Sequence, residues 1–403
     1  MIRKLGPGLL FAGAAIGVSH SLHLTKAGAN FGFGLVWALL LVNLFKYPFF
    51  QYGPRYAMAT GESLLEGYQR LGKFTLIIYF ILTLATMFTI QTAVTIVTAD
   101  IASVLFGGFL SSKTWTVIIL LGCAMILFLG RYRLLDQLMK IIIIVLSIST
   151  ILSVILKYTT IEKTLSLAQV FPTENTSTLF LIAFMGWMPA PLDISVWHSL
   201  WAIEKQKTQT KFNTKAALLD FNVGFVTTII LGLSFLTLGA LTLYRSGLTL
   251  SDSVGKFSNQ LINMYTNSLG DWAFIFVTIA AFTTMFSTTL TTLDASPRAM
   301  SRTVSLLFSK SKFKSYFFWL ALLVAGSIFI FFFLVSEMGL LIKIATVLSF
   351  LTAPFYALVN YKLISSLHTP KQWRPSTFMH ILSVLGIIFL IGFGIWFLMS
   401  FSF

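Results

Sequence analysis

The chain has little charge for its length. Only 10% of its 403 residues are Asp, Glu, Lys or Arg, whereas 57% are hydrophobic. A typical water-soluble domain carries about 25% charged residues, so this composition excludes a soluble globular protein and indicates an integral membrane protein. Apolar stretches of roughly 20 residues, the length that a helix needs to cross a bilayer, recur along the chain with only short polar breaks. They leave no room for a soluble domain.

Cysteine is almost absent, and so are the motifs of several enzyme classes. The single cysteine, Cys123, lies in an apolar run and excludes an intrachain disulfide and a cysteine-cluster metal site. The chain has no H-E-x-x-H or G-x-S-x-G motif and no phosphate-binding loop. Its five histidines form no cluster in the sequence. We therefore expect no enzyme, no ATP-driven pump and no cofactor; a channel remains an alternative to a carrier.

Acidic residues are scarce, with 13 Asp and Glu against 28 Lys and Arg. The basic residues lie between the apolar stretches rather than in one block, so they do not indicate nucleic-acid binding. Loops on the cytoplasmic side of a membrane protein collect Lys and Arg. Most of the basic loop residues fall on the side of the N terminus, which predicts that the N terminus is cytoplasmic. With an odd number of spans, the C terminus lies on the opposite side.

The apolar stretches predict an all-α polytopic membrane protein with about eleven spans in one transmembrane domain, residues 1–403. Backbone groups in lipid must be bonded within their own segment, so runs of this length are helices and not strands of a barrel. The spans form a first repeat at about residues 5–157, a second at about 177–365, and an extra C-terminal helix at about 379–402. The predicted spans are Gly8–Leu24, Gly34–Tyr56, Thr75–Phe106, Trp115–Gly130, Leu134–Leu156, Leu179–Trp201, Ala216–Leu243, Asp271–Thr292, Tyr316–Val335, Gly339–Ile364 and Ile381–Ser402.

Spans one and six are both interrupted by residues that helices avoid. Span one contains Gly13 and Gly17, followed by the polar run Ser19-His20-Ser21. Span six contains Met188-Pro189-Ala190-Pro191, and its two prolines remove two helix hydrogen bonds. Matching breaks in two repeats indicate a transporter site, because freed carbonyls and half-helix ends can bind ions or charged substrates.

Several short segments resemble a known transporter family. Gly6-Pro7-Gly8, the run from Ala27 to Phe33, Asn43-Leu44 and the run from Ala59 to Leu64 resemble, in order and spacing, the first two helices of Nramp-type divalent-metal transporters. The Met188-Pro189 pair is similar to the start of that family's Met-Pro-His motif. The resemblance implies a LeuT-type 5+5 inverted repeat with broken helices 1 and 6. It also implies import of a transition metal by alternating access, with proton coupling.

The chain departs from this family at the metal site. The family's Asp-Pro-Gly-Asn motif falls on Gly17-Val18-Ser19-His20, so Gly17 stands where the metal-binding Asp is expected and His20 stands in place of Asn. In span six, alignment on Met188 places Ala190 at the family's His position. Alignment on the downstream His198 places Asp193 there instead, and both alternatives stay open.

The breaks supply the candidate site residues. An imidazole is a common transition-metal ligand and can carry a proton near neutral pH, and a thioether favours softer metals. A carboxylate within a span is costly and usually functional, so Asp193 could replace the missing charge; alternatively it caps its half-helix. The predicted substrate- or metal-binding residues are Gly17, Ser19, His20, Met188, Pro189, Ala190 and Asp193.

A second group of residues consists of candidates for coupling or gating. Hydroxyls on span eight, together with span-one carbonyls, bind sodium in sodium-coupled transporters of the wider fold, so sodium is an alternative to protons as the coupling ion. The same hydroxyls could instead only bond neighbouring helices. The candidates are Asp100, His198, Thr284, Ser287 and Thr288. A divalent metal is the leading cargo, and an organic or anionic solute on the same fold is the alternative.

The predicted orientation can be tested with reporters fused to each terminus. Green fluorescent protein folds in the cytoplasm, and alkaline phosphatase is active only across the bacterial inner membrane, where disulfides form. We expect fluorescence from an N-terminal fusion, and phosphatase activity without fluorescence from C-terminal fusions. Fluorescence at both ends would contradict an odd number of spans.

Overall fold

The computed structural model describes residues 6–17, 19–159, 166–209, 212–244, 274–308, 310–334 and 338–401, and the single positions 260, 262, 263, 266 and 270. Within these ranges the regular structure is entirely helical, so the all-α prediction is confirmed. The α-helices are α1 (Pro7–Ala15), α2 (Thr25–Phe31), α3 (Val36–Thr60), α4 (Leu64–Leu71), α5 (Lys73–Leu105), α6 (Ser112–Thr159), α7 (Asn175–Trp187), α8 (Ile194–Thr208), α9 (Thr214–Thr242), α10 (Phe274–Leu307), α11 (Tyr316–Phe329), α12 (Met338–Ser365) and α13 (Thr377–Phe401). A π-helical segment, Ser19–Leu24, joins α1 to α2, and another, Ile330–Leu334, follows α11.

Several of these helices are long and apolar enough to cross a bilayer. In the described part of the chain six segments meet the length and composition of a span, and two shorter apolar helices, Ile143–Thr159 and Ser177–Trp187, accompany them. Large apolar side chains of α5, α6 and α13 are exposed on the outer surface, which suits contact with lipid. The count of eleven spans stays a prediction.

The turn expected between spans four and five differs in the structure. The backbone is helical from Ser112 through Thr159, so the polar break around Arg131 and Arg133 continues α6 rather than ending it. A straight helix of 48 residues would extend about 72 Å, more than twice the hydrocarbon thickness of a bilayer. Arg, Leu and Gln are good helix formers, and no proline interrupts this stretch, which is why local sequence does not end the helix there.

Helices α1 and α9 cross in direct backbone contact. A Cβ atom on Gly224 would lie 2.1 Å from the carbonyl oxygen of Gly8, closer than any side chain permits. Next to this crossing, the buried carboxylate of Asp220 accepts hydrogen bonds from the amides of Gly6 at 2.9 Å and Gly8 at 2.7 Å. These amides begin α1 and have no partner within the helix, and a negative charge suits that end of the helix dipole. Helix α9 therefore fixes where the first half of span one begins.

Helix α3 passes close to α8, the second half of span six. A Cβ atom on Gly53 would lie 2.2 Å from the carbonyl oxygen of Ser195. Small residues at such crossings let membrane helices approach closely enough for dense packing. Because α3 also packs against α9, it links span six to the helix that holds span one.

We predict that Gly224→Ala strongly destabilises the protein. The added methyl group overlaps the α1 backbone, and overpacking of this kind costs about 1–3 kcal/mol or more. Gly122→Ala is the matched control, since nothing lies within 4 Å of a Cβ at Gly122 in α6 and Ala is the better helix former by about 1 kcal/mol. Thermal unfolding of the detergent-purified variants measures both effects. Equal melting temperatures for the two variants would contradict the α1–α9 contact.

Candidate substrate site at the two helix breaks

Span one is broken where the sequence predicts. Helix α1 ends at Ala15, the amide of Ile16 still bonds to Ala12 at 2.7 Å, and the helix does not continue past Gly17. The chain resumes as a π-helical segment at Ser19. Val18 and the side chain of Ser19 lie outside the described part of the structure, so the predicted role of Ser19 stays a prediction.

Span six is broken at its proline pair. Helix α7 ends at Trp187, Met188 adopts an extended conformation, and α8 begins at Ile194. A residue before proline is driven towards extended geometry, and proline offers no amide hydrogen, so Pro189 and Pro191 account for the interruption. The Pro189 and Ala190 side chains are buried.

The carbonyls at the end of α7 are bonded by a lysine from another helix. The Lys46 side chain, on α3, is completely buried. Its Nζ donates to the carbonyl oxygens of Met185 at 3.1 Å, Gly186 at 2.6 Å and Met188 at 2.8 Å. The last carbonyls of a helix lack partners within it, and a positive charge suits that end of the dipole. One side chain thus satisfies the freed backbone of the break.

A small cavity lies between the two breaks. It encloses about 30 Å³, enough for one or two water-sized species. The described residues that line it are uncharged: Ala14, Ala15, Gly17, Ile90, Val94, Trp187, Pro191, Ile194, Trp197, Thr288 and Thr292. Gly17 and Thr288 are predicted site residues, and the structure brings them together here.

Thr288 fills the space beside Gly17. A Cβ atom on Gly17 would lie 2.8 Å from Cγ2 and 3.0 Å from Oγ1 of Thr288. The Thr288 hydroxyl donates to the carbonyl of Gly13 at 3.0 Å, and this bond ties α10 to α1. Gly17, where the resemblance predicts the position of a metal-binding Asp, therefore has no side chain, and a threonine occupies the adjacent volume.

His20 and Met188 are buried near the breaks but face other partners. The His20 ring nitrogen Nε2 lies 3.2 Å from the carbonyl oxygen of Thr228 on α9. The Met188 side chain is fully buried in the main apolar core. Neither residue is among the described residues that line the small cavity.

Asp193 lies at the start of α8 and is 6% exposed. It occupies the N-cap position but makes no capping hydrogen bond with its side chain, and its Oδ1 has no hydrogen-bond partner among the described residues. The sequence left open that Asp193 only caps α8, but the hydrogen bond that such a cap requires is not formed.

The predicted metal ligands do not form a cluster. Among the residues that the structure describes, no three His, Cys, Asp or Glu side chains lie close enough together to hold a metal ion. Convergence of His20 and Asp193 on one cargo remains a prediction.

The coupling candidates fall into three places. Ser287 bonds back to the carbonyl of Thr284 at 2.6 Å, within α10 and close to Thr288. His198 on α8 is buried, has no hydrogen bond to either ring nitrogen among the described groups, and stacks on Phe11 of α1 with 5.8 Å between ring centroids. Asp100 is partly exposed near the C-terminal end of α5. Along the chain it lies far from both breaks.

A larger open cavity of about 500 Å³ lies among α4, α8 and α10. Ion pairs cross it, joining Glu66 of α4 to Arg302 of α10 and Glu204 of α8 to Arg298 of α10. Arg298 also pairs with Asp294 at 2.6 Å. The Glu204–Arg298 pair connects α8, the second half of span six, to α10, and the Glu66–Arg302 pair connects α4 to the same helix.

Lys46 is not among the site residues that the sequence predicts. A lysine within an apolar span is itself a signal, because such a charge is costly in lipid and is retained where it has a partner. Its partner carbonyls lie 139 to 142 positions away, so no local pattern indicates which groups it meets.

Comparisons with known proteins agree with this architecture. A family model described as natural resistance-associated macrophage protein-like matches residues 8–400. An uncharacterized protein of Pasteurella multocida (strain Pm70) is 35% identical over 404 aligned positions, which cover 98% of this chain and 91% of the relative.

Two solved transporter structures share the fold. A manganese transporter of Eremococcus coleocola, in complex with an aromatic bis-isothiourea substituted compound, aligns with a TM-score of 0.72 at 14% identity, covering 99% of this chain and 94% of its own. MhsT in complex with L-phenylalanine aligns with a TM-score of 0.65 at 15% identity, covering 98% and 97%. The prediction of a LeuT-type fold with broken helices 1 and 6 is confirmed.

We predict that Gly17→Ala destabilises the protein by about 1–3 kcal/mol, because the new methyl group overlaps Cγ2 of Thr288. The double variant Gly17→Ala/Thr288→Ser removes that methyl group and keeps the hydroxyl that bonds Gly13, so it should regain part of the loss. Gly17→Ala/Thr284→Ser makes the same change one turn away and should not. A double-mutant cycle on thermal unfolding measures the coupling; strictly additive effects would contradict the contact.

Proposed function

The chain belongs to the natural resistance-associated macrophage protein (Nramp) family, and we propose that it is a secondary transporter that moves a divalent metal cation by alternating access, coupled to protons. Membership of this family of transporters makes it an integral membrane transporter and not an enzyme. The manganese transporter of Eremococcus coleocola, which has the same fold, supports a transition metal as the cargo. The carrier function also accords with the broken helices, which lie face to face across a small cavity.

The buried carboxylate of Asp193 is the observation that carries the cation proposal. A buried polar atom without a hydrogen bond is uncommon in native proteins and calls for an explanation. An ionised carboxylate only accepts hydrogen bonds, so Oδ1 of Asp193, which has no donor among the described groups, suits a proton or a metal cation. Asp193 lies at the break of span six, where it can supply the negative charge that Gly17 does not.

The remaining ligands come from the same two breaks. In this proposal His20 and the thioether of Met188 join Asp193, with carbonyls near Gly17 and Pro189 completing the set. His20 lies on the π-helical segment that follows the first break, and Asp193 begins α8. In this proposal the start of α8 and the π-helical segment close on the cargo together, a movement of half-helices of the kind that alternating access uses.

A second candidate function keeps the fold and changes the cargo to an organic or anionic solute, coupled to sodium. Two observations favour it: the described lining of the small cavity is uncharged, and the buried Lys46 places a positive charge at the same break. The bond between Thr288 and the Gly13 carbonyl joins spans eight and one, where sodium coupling would be expected. MhsT, which shares the fold, was solved with L-phenylalanine bound.

Uptake into proteoliposomes tests the metal proposal. We expect saturable Mn²⁺ entry, measured with a trapped metal-sensitive dye, that rises when the outside is made acidic. Asp193→Asn should lower this entry by at least about tenfold, as the loss of a metal-site group does. Glu174→Gln, at the start of α7 in the other half of span six, is the matched control and should transport normally, since Glu174 is exposed and its side chain makes no capping hydrogen bond.

The same vesicles separate the alternatives. Absence of saturable entry of Mn²⁺, Fe²⁺, Co²⁺ and Cd²⁺ at millimolar concentration would refute a metal cargo. Thermal stabilisation by amino acids or organic acids that requires Na⁺ would then support the second function. Currents that rise linearly with voltage and do not saturate would indicate a channel.

A further inference from the structure

Lys46 carries a buried ammonium that no ion pair compensates within the described ranges. Its side chain is fully buried, and no Asp or Glu among the described residues forms an ion pair with it. Burying a charge is costly unless it is well bonded. The compensation here comes from the three backbone carbonyls of Met185, Gly186 and Met188, at 2.6 to 3.1 Å from Nζ.

These three oxygens form the kind of group that binds a free cation in other membrane proteins. Rings of backbone carbonyls replace the hydration shell of an ion in selectivity filters, and unwound carbonyls with half-helix C-terminal ends coordinate ions in transporters with broken helices. All three carbonyls here belong to the C-terminal end of α7 and the residue after it. The dipole of α7 adds partial negative charge at this point.

We propose that Lys46 is a tethered cation that permanently fills a cation-binding cradle, the carbonyls of Met185, Gly186 and Met188, and so excludes free cations from it. Lys46 is then a specificity-determining residue of the break. A transported ion, if the proposed function holds, must be bound by the other groups of the site. The inference rests on the proposed function only in taking this break as part of the transport path.

Lys46 also attaches the first half of span six to helix α3. Helix α3 contacts α8 through Gly53 and Ser195 and holds the end of α7 through Lys46. Both halves of span six are therefore attached to one helix, on either side of the break. Removing the charge should loosen α7 from α3 and open the cradle to a small external cation.

Chemical rescue of Lys46→Ala tests the proposal. Truncation leaves a space that ethylammonium can fill, so we expect the variant to melt several degrees below the native protein, and added ethylammonium to raise its melting temperature in proportion to the logarithm of its concentration. At about 100 times its dissociation constant, ethylammonium should raise the melting temperature by about 2–4 °C. The native protein should show no such rise, since its own ammonium occupies the cradle.

Three controls separate charge from packing. Ethanol has the size of ethylammonium without its charge and should not rescue Lys46→Ala. N-Methylglucamine has a charge but is too large, and it should not rescue either. Lys46→Met fills the space with an uncharged chain of similar length, and neither amine should stabilise it.

The outcomes decide the proposal. Equal rescue by ethanol and ethylammonium, or no rescue of a folded Lys46→Ala, would overturn the tethered-cation role. If the variant aggregates, it is extracted with ethylammonium or with N-methylglucamine; recovery of a monodisperse peak in ethylammonium alone supports the role. If Lys46→Ala aggregates in both amines while Lys46→Gln is monodisperse in both, a neutral hydrogen-bond donor suffices at this position. That result would overturn the tethered-cation role. No metal cargo enters these measurements, so they stand apart from the uptake assay.

Discussion

Every backbone group that a helix break frees inside a membrane must find its partner within the protein, because lipid offers none. The breaks of spans one and six meet this constraint with side chains from other helices. Lys46 of α3 bonds the carbonyls that end α7, and Thr288 of α10 bonds the carbonyl of Gly13 in α1. Asp220 of α9 supplies acceptors for the amides that begin α1. The geometry of the candidate site depends on these three residues, none of which lies on the helix that it completes.

The buried charges near the breaks are unevenly placed. Gly17, predicted to stand where the family has its metal-binding Asp, carries no charge, and Thr288 fills the adjacent volume. The buried charges then lie on the span-six side, with the ammonium of Lys46 on the carbonyls after α7 and the carboxylate of Asp193 at the start of α8. Positive charge at a helix C terminus follows the preference of the dipole.

Much of this architecture could be predicted from the sequence, since local chemistry decides it. The proline pair at Pro189 and Pro191 cannot continue a helix, and the observed break falls there; Gly13 and Gly17 bracket the end of α1 at Ala15. The turn near Arg131 could not be predicted in the same way, because a short run of polar helix formers is compatible with either a loop or a continuing helix, and the backbone there is helical. The hydrogen-bond partners of Lys46 could not be predicted either, since any of several helices could have supplied them.

The sequence by itself therefore determined that this is a membrane protein, that its fold is all-helical, which family it belongs to and where both breaks lie. Each of these follows from composition or from residues close together in the chain. Only the tertiary structure decided that Thr288 fills the space beside Gly17 and that Lys46 bonds the carbonyls of span six. These contacts join residues more than a hundred positions apart, and which helix lies beside which is set by packing at glycine crossings such as Gly8 with Gly224. Local sequence carries the chemistry of a side chain, but helix packing selects its partner.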